Sequence, residues 1–366
     1  MTESEKVSVA CAERVIGLWR HRRFAMDGLA VLLALSWSAD ATAQQFVSQG
    51  PAPSIGVIET VQSGDLPVNA VGQPQGSVAG AIQAIAMSPA NTNVIYAGTP
   101  NGGIWVSRDT GVNWQPLSDR QTSLSISSLA FDPLDPSGQK LIAGIGLTSS
   151  TRQAGQLSGL LYSSNGGQQW QELRFLADKN IMGVAARGTN LLAGADGEGG
   201  GLFYSDNSGT SFTQVAAVKG GVKSLAADSS NTNLAYISVS GAADPANNGV
   251  FKINPTTGAM IGGGRILPLA ANEFARLATG PNGSVVAAII TSAESSAKLT
   301  RIALSQDGGA TWSVMRDPPN TNPGGQANTH FAVAIDQSRS NVVYVAGDAI
   351  DASPYIVPAF RVTLTD

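Results

Sequence analysis

The sequence predicts an all-β fold, a β-propeller of four-stranded antiparallel blades, and three observations support this prediction. One short turn motif occurs four times, and one strand–turn–strand unit occurs six times in register with it. Self-similarity at a period of about 40–55 residues is typical of propellers. The 42 glycines and 13% charged residues of this 366-residue chain fit a turn-rich β protein.

The turn motif reads Ser-x-Asp/Asn-x-Gly-x-x-aromatic. Asp or Asn in a turn accepts hydrogen bonds from backbone N–H groups one or two residues on, and glycine supplies the positive φ of a tight hairpin. We expect the closing aromatic ring to pack between neighbouring sheets, so every motif residue has a structural role and none a catalytic one. The four copies are Ser107, Asp109, Gly111 and Trp114; Ser163, Asn165, Gly167 and Trp170; Ser205, Asn207, Gly209 and Phe212; and Ser305, Asp307, Gly309 and Trp312.

The spacing of the copies predicts a fifth, degraded one. Trp114 and Trp170 are 56 residues apart, Trp170 and Phe212 are 42 apart, and Phe212 and Trp312 are 100 apart. Because the last interval is two periods long, a further copy belongs near residue 260. The stretch Gly249–Ile261 has the strand, turn and strand but lacks the aromatic residue.

The unit upstream of the motif is an apolar strand, a turn and a second apolar strand. Small residues recur in the first strand of each unit, which suits crowded packing near a central axis, and neighbouring blades must stack to bury their faces. Six copies predict six blades between residues 81 and 366. They are Ile82–Met87 with Val94–Gly98, Ile126–Phe131 with Leu141–Gly144, Ile181–Ala185 with Leu191–Gly194, Val222–Ala226 with Leu234–Ile237, Phe274–Ala278 with Val285–Ile290, and Phe331–Ile335 with Val342–Ala346.

The turn motif resembles the Asp-box, or BNR repeat, shared by sialidases, xyloglucan-active glycoside hydrolases, sortilin-type receptors and the photosystem II assembly factor family. The run Asn91–Ser107 resembles the opening blade of the sortilin and xyloglucanase type more than that of true sialidases. The resemblance implies a propeller over nearly the whole mature chain, with box turns that are peripheral to an axial ligand site. Because the superfamily includes hydrolases, receptors and assembly factors, the resemblance does not indicate which of these functions the chain has.

Residues 1–43 have the pattern of a secretory signal peptide. A basic run, Arg20–Arg23, precedes the short apolar run Gly28–Leu35 and an Ala-x-Ala site at Ala41–Ala43. This predicts a secreted, periplasmic or cell-surface bacterial protein with no transmembrane segment after cleavage; an uncleaved interfacial anchor is the alternative. The single cysteine, Cys11, lies in this leader, so the mature chain would have no disulfides or thiol chemistry.

Two predictions concern how the ring of blades is closed. In residues 44–80, the strand Phe46–Gly50 resembles the one that precedes the first blade in this family, and the resemblance implies that it completes the last blade. The terminal Phe360–Asp366 aligns with Thr300–Gln306, so the chain stops where a further box would begin. Either the N-terminal strand completes a closed six-bladed ring, or the sequence is a truncated piece of a larger, seven-bladed protein.

Several functions lack their required residues. The net charge of −4 and the absence of a basic tract argue against nucleic acid as a partner. His330 is the one histidine after the leader, which excludes histidine zinc sites, and no Gly-x-Ser-x-Gly elbow accompanies it. In the sialidases that the turn motif resembles, the first arginine that binds the substrate carboxylate precedes the first box. In this chain no arginine lies between Arg23 and Arg108. In the xyloglucanases that it resembles, a catalytic Asp follows the corresponding strand of the first blade. The stretch Tyr96–Gly103 of this chain has no carboxylate.

The candidate ligand residues lie in loops that follow second strands. Asp196 and Glu198 stand in a glycine-rich loop that could hold Ca²⁺ through oxygen ligands, or that is a solvated hairpin. A long insert in the second blade contains Arg152, and the sixth blade has Asp348, Asp351 and Tyr355 at the corresponding place. Long loops at one end of a propeller commonly build its binding surface.

The sequence favours a non-catalytic binding or scaffolding module for a protein or glycan. The alternative is a glycoside hydrolase that uses two loop carboxylates, which would face each other across the axial cleft about 5–10 Å apart. A third interpretation is that the chain is the N-terminal part of a large surface protein whose activity lies elsewhere.

Overall fold

Six antiparallel sheets form a six-bladed β-propeller, which confirms the predicted all-β fold. The computed structural model describes residues 81–149, 154–293, 296–348 and 359–364. Its only helical segments in those ranges are the single turns Arg174–Leu176, Pro245–Asn247 and Pro281–Gly283. None of the helices described could cross a membrane. The predicted leader and the predicted strand Phe46–Gly50 lie outside the described residues.

The blades follow one another along the chain, and strands pair in sequence order within each. The strands of blades 1 to 3 are β1 (Ala84–Met87), β2 (Ile95–Gly98), β3 (Ile104–Ser107) and β4 (Gln115–Pro116); β5 (Ile126–Phe131), β6 (Leu141–Ile145), β7 (Leu160–Ser163) and β8 (Gln171–Leu173); and β9 (Asn180–Arg187), β10 (Asn190–Asp196), β11 (Gly201–Ser205) and β12 (Thr213–Gln214). The strands of blades 4 to 6 are β13 (Gly221–Ala227), β14 (Ala235–Ser240), β15 (Gly249–Ile253), β16 (Met260–Ile261) and β17 (Leu267–Pro268); β18 (Glu273–Thr279), β19 (Val285–Ala293), β20 (Ser296–Ser305) and β21 (Ser313–Arg316); and β22 (Ala332–Ile335), β23 (Val342–Ala346) and β24 (Ala359–Thr363).

Two blades depart from the predicted four strands. In blade 4 the third strand, β15, pairs with β14 on one side and with both β16 and β17 on the other. Blade 6 has three strands within the described residues. The extra strand in blade 4 reflects a long connection after the turn, which folds back along the same edge.

The degraded fifth copy of the turn is present in blade 4. β15 and β16 flank a turn in which the Asn254 side chain accepts a hydrogen bond from the backbone N–H of Thr256 at 2.9 Å. Gly258 has a φ of 70°, the conformation that a tight turn requires of glycine. The interval of two periods between Phe212 and Trp312 therefore predicted this blade correctly.

The core lies between the blades, in clusters that each combine residues of two neighbouring sheets. A glycine in the second strand lets the next blade approach closely. A Cβ atom added to Gly98 would lie 2.5 Å from Cγ2 of Ile126, and one added to Gly144 would lie 2.6 Å from Cγ2 of Ile181. Small residues near the axis are thus required by contact between blades, not only by the strand itself.

We predict that Gly183→Ala destabilises the propeller by about 1–3 kcal/mol. The new methyl group would lie 2.6 Å from Cβ and 2.9 Å from the backbone N of Leu225, so blades 3 and 4 would have to separate. Urea unfolding measures the effect. Gly264→Ala is the matched control, because nothing lies within 4 Å of a Cβ atom at that position. Equal unfolding midpoints for the two variants would contradict the tight contact between the blades.

Candidate functional site

The order of strands divides the loops between two ends of the propeller. In an antiparallel meander, the hairpins after the first and third strands share one end, here called the turn end. The hairpins after the second strands share the opposite end with the connections between blades, here called the loop end. The four repeated turns lie at the turn end, whereas Asp196, Glu198 and Asp348 follow second strands at the loop end. Arg152, Asp351 and Tyr355 lie outside the described residues.

The four repeated turns share one set of hydrogen bonds. In the first turn the Ser107 hydroxyl donates to Oδ1 of Asp109 at 2.8 Å and accepts from the N–H of Gly111 at 2.7 Å. The carboxylate then accepts from the N–H of Asn113, four residues on, at 2.8 Å. The same contacts recur in the other three turns. The sequence predicted that the Asp or Asn side chain accepts from N–H groups one or two residues on, and this prediction is wrong. The serine hydroxyl accepts from the nearer N–H groups, and the Asp or Asn oxygen accepts from the N–H group four residues on.

The closing aromatic rings of three turns pack into clusters between blades, namely Trp170, Phe212 and Trp312. Trp312 also donates from Nε1 to the carbonyl of Ile266 at 3.0 Å. These rings fix each turn to the neighbouring sheet, which is a structural role.

Charged side chains from neighbouring blades meet near the axis at the loop end. Asp196 ends β10 in blade 3, and its Oδ2 lies 2.6 Å from Nζ of Lys223 in β13, the first strand of blade 4. Both side chains keep some exposure, 19% for Asp196 and 31% for Lys223. The ion pair therefore joins two blades and stays within reach of solvent.

Arg276 in β18 connects this pair to the next blades. Its guanidinium donates to the carbonyl of Lys223 at 2.8 Å and to the carbonyl of Asn328 at 3.0 Å. Its Cζ lies 5.7 Å from the ring centroid of Phe274, within cation–π range. Burial lowers the pKa of Arg276, and the negative charge of Asp196 opposes that shift.

Glu273, at the loop end of β18, also forms an ion pair. Its two carboxylate oxygens lie 2.7 Å and 2.6 Å from the same guanidinium nitrogen of Arg301 in β20. The backbone N–H of Ala270 donates to Oε2 at 2.9 Å. The ion pair and the backbone donor together hold the Glu273 carboxylate in place.

Asp348 is a buried anchor for a loop. Its carboxylate accepts hydrogen bonds from the N–H groups of Gly324 at 3.0 Å and Gln326 at 2.6 Å. The side chain is 6% exposed, so little of it is open to a ligand. Glu198, by contrast, is exposed at the tip of its loop.

Two further acidic residues, Asp132 and Asp228, lie at the turn end. Asp132 accepts from the N–H of Leu134 in its own turn at 3.0 Å, and from the N–H of Gly188 in the next blade at 2.8 Å. Arg187 is 3% exposed and donates to the carbonyl of Asp228 at 2.7 Å. Burial lowers the pKa of Arg187, while Asp132 and Asp228 oppose that shift. These acids tie neighbouring blades together away from the loop end.

Sequence reasoning missed Lys223, Arg276 and Arg301. A signal for two of them exists, because Lys223 and Arg276 lie inside first strands, between residues that are small or apolar. A charge at such a position must find a partner near the axis. The partners themselves come from other strands, and the spacing of the repeats does not identify them.

No protein-family model and no curated protein matches this chain. Solved structures of similar fold include the crystal structure of an ancestral GH74 enzyme, with a TM-score of 0.50 and 19% identity over 78% of this chain and 39% of that one. The GH74 xyloglucanase from Xanthomonas campestris has a TM-score of 0.45 and 16% identity over 75% of this chain and 53% of that one. YCF48 bound to D1 peptide has a TM-score of 0.45 and 15% identity over 74% and 77%.

The similarity to the ancestral GH74 enzyme agrees with the propeller fold and, at 19% identity, with the fold alone. The chain spans 39% and 53% of the two GH74 structures, less than two thirds of either.

We predict that Asp307→Asn reduces the acid sensitivity of the fold. Hydrogen bonds from Thr311 and then Ser305 lower the pKa of Asp307. A lowered pKa in the folded state means that the carboxylate stabilises the fold above an unfolded-state pKa of about 4, and that this contribution is lost as the pH falls further. The variant should fold, because Asn165 and Asn207 occupy the same position in two other turns.

Urea midpoints at about pH 5 and about pH 3 measure this effect, and the wild type should lose more stability between them than the variant. Asp206→Asn is the control, because it removes a charge from the third turn without altering the shared hydrogen bonds. An identical loss in the wild type and Asp307→Asn would contradict the role of the carboxylate.

Proposed function

We propose that this chain is a non-catalytic binding or scaffolding module that takes a protein or glycan ligand at the loop end of its propeller. One observation supports this most directly: the described carboxylates of Asp196, Glu273 and Asp348 are held there by cations or backbone N–H groups. Asp196 and Glu273 keep some exposure, so they can recognise a ligand by hydrogen bonds and charge without exchanging protons with it.

The same observation weighs against glycoside hydrolysis. That reaction needs one carboxyl group that remains protonated near neutral pH, with a raised pKa. The carboxylates of Asp196 and Glu273 each form an ion pair, so neither can donate a proton to a sugar without leaving its cation. Among the residues that the structure describes, the carboxyl groups with a shifted pKa are all shifted downward, and they are Asp109, Asp135, Glu172, Asp307 and Asp336. Hydrogen bonds lower these pKa values; for Glu172, burial opposes the shift, and hydrogen bonds together with the charge of Arg174 outweigh it.

A glycoside hydrolase is the second candidate. The fold is similar to that of an ancestral GH74 enzyme, and Asp196 and Glu273 both stand at the loop end on strands of different blades. A catalytic pair would require one of them to leave its cationic partner when a sugar binds.

The remaining expectations are proposals of the same kind. We propose that the repeated turns are Asp-boxes, which their recurring serine and carboxylate hydrogen bonds support. Secretion or periplasmic location follows from the leader pattern in residues 1–43. Calcium binding at Asp196 and Glu198 stays a prediction, and the ion would have to replace Lys223 at the Asp196 carboxylate.

We predict that the full chain binds a glycan or peptide ligand without chemical turnover. The protein is applied to a printed glycan array and a peptide array, and it is incubated with xyloglucan while reducing ends are measured. Asp196→Lys should weaken binding at least fivefold, because it replaces an ion pair by two like charges, and the double variant Asp196→Lys/Lys223→Asp should restore much of it. Asp206→Asn, at the turn end, is the control and should leave binding unchanged.

A glycoside hydrolase would give a different result in the same experiment. Release of reducing ends that disappears in Asp196→Asn or Glu273→Gln would establish the hydrolase and overturn the binding module.

A further inference from the structure

The first strand of each blade directs one apolar side chain toward the preceding blade. These side chains occupy one register position, at which each pairs with a residue in the middle of the second strand. In blades 2 to 6 each lies in a cluster with residues of the blade before it. The five residues are Leu129, Val184, Leu225, Leu277 and Val333.

Blade 1 carries the same apolar side chains but has them exposed. Ile85, which pairs with Ala97, occupies the register position of Leu129, and it is 64% exposed. Met87 occupies the position of Phe131 and is 57% exposed, while nearby Ile82 is 43% exposed. We call Ile82, Ile85 and Met87 the blade 1 patch. Three large apolar side chains exposed within residues 82–87 indicate a surface that another element covers.

Blade 6 has the complementary exposed face. Tyr96 and Tyr236 share one register position in their second strands, are 4% and 0% exposed, and face the following blade. Tyr96 donates to the carbonyl of Gly166 in that blade at 2.9 Å. Tyr344 holds the same position in blade 6, yet it is 40% exposed and bonds to Asp336 of its own blade. The two faces that would meet between blades 6 and 1 are therefore not buried against each other.

Residues 51–80 of this chain, outside the described residues, are suited to cover the blade 1 patch. They end directly before Ala81, so the covalent link holds them at high local concentration beside Ile82. Glu59 and Asp65 are their only charged residues, and neither lysine nor arginine occurs among them. Their large aliphatic residues are Ile55, Val57, Ile58, Val61, Leu66, Val68, Val71 and Val78.

We propose that residues 51–80 pack on the blade 1 patch and take the position that a preceding blade occupies elsewhere in the propeller. The segment then supplies the apolar contact that Leu129 and its counterparts obtain from a neighbouring sheet. This assignment concerns the side of blade 1 and does not depend on the ligand proposed for the loop end.

The accessibility of a thiol placed in the patch tests this proposal in the full chain. Cys11→Ser removes the native thiol, and Ile85→Cys or Val112→Cys then introduces a single one. Val112 is the matched control, because it is 66% exposed against 64% for Ile85 but lies in the first repeated turn. We expect N-ethylmaleimide to modify position 85 at least tenfold more slowly than position 112. Equal rates would overturn the proposal.

A second set of variants identifies what covers the patch. Val57→Asp/Ile58→Asp/Val61→Asp, added to Ile85→Cys, should raise the labelling rate at position 85 toward that at position 112. A different result would overturn the proposal: position 85 stays protected from N-ethylmaleimide in the triple variant, but loses that protection on dilution. If size-exclusion chromatography also shows a dimer, a second copy of the chain covers the patch. The rate at position 112 in the same triple background reports whether the variant remains folded.

Discussion

Apolar contact between neighbouring blades is the interaction on which the rest of this structure depends. A sheet of four short strands cannot bury its own two faces, so each blade is stable only against its neighbours. Gly98 and Gly144 permit that contact, because a side chain there would collide with the β-branched residue of the next blade. The repeated turns support the same contact by inserting rings such as Trp170 between sheets. Motif and core are therefore two parts of one packing arrangement.

Close packing around the axis determines the electrostatics of the loop end. First strands are crowded and mostly apolar, so a charge placed on them is costly unless a partner is near. Lys223 meets Asp196 of the preceding blade, and Arg276 bonds to two backbone carbonyls. The resulting charged cluster joins blades 3, 4 and 5 at the loop end.

The two ends of the propeller carry different kinds of polar residue. At the turn end, carboxylates such as Asp109 and Asp132 satisfy backbone N–H groups of turns and of adjacent blades. At the loop end, the connections vary in length and bring side chains of several blades together. Because loops at one end can vary while the turns at the other hold the sheets, the same framework supports enzymes and binding proteins alike.

The sequence by itself determined the architecture, because strand, turn and blade period are local properties of the chain. It located even the degraded turn at Gly249–Ile261, where spacing substituted for a missing aromatic residue. Only the tertiary structure decided which charges meet, since Asp196 and Lys223 are 27 residues apart and belong to different blades. It also made Asp348 a buried loop anchor, and it exposed Ile85 at a position that is covered in every other blade described. Such contacts depend on how blades are arranged around the axis, and a repeat pattern contains no information about partners across it.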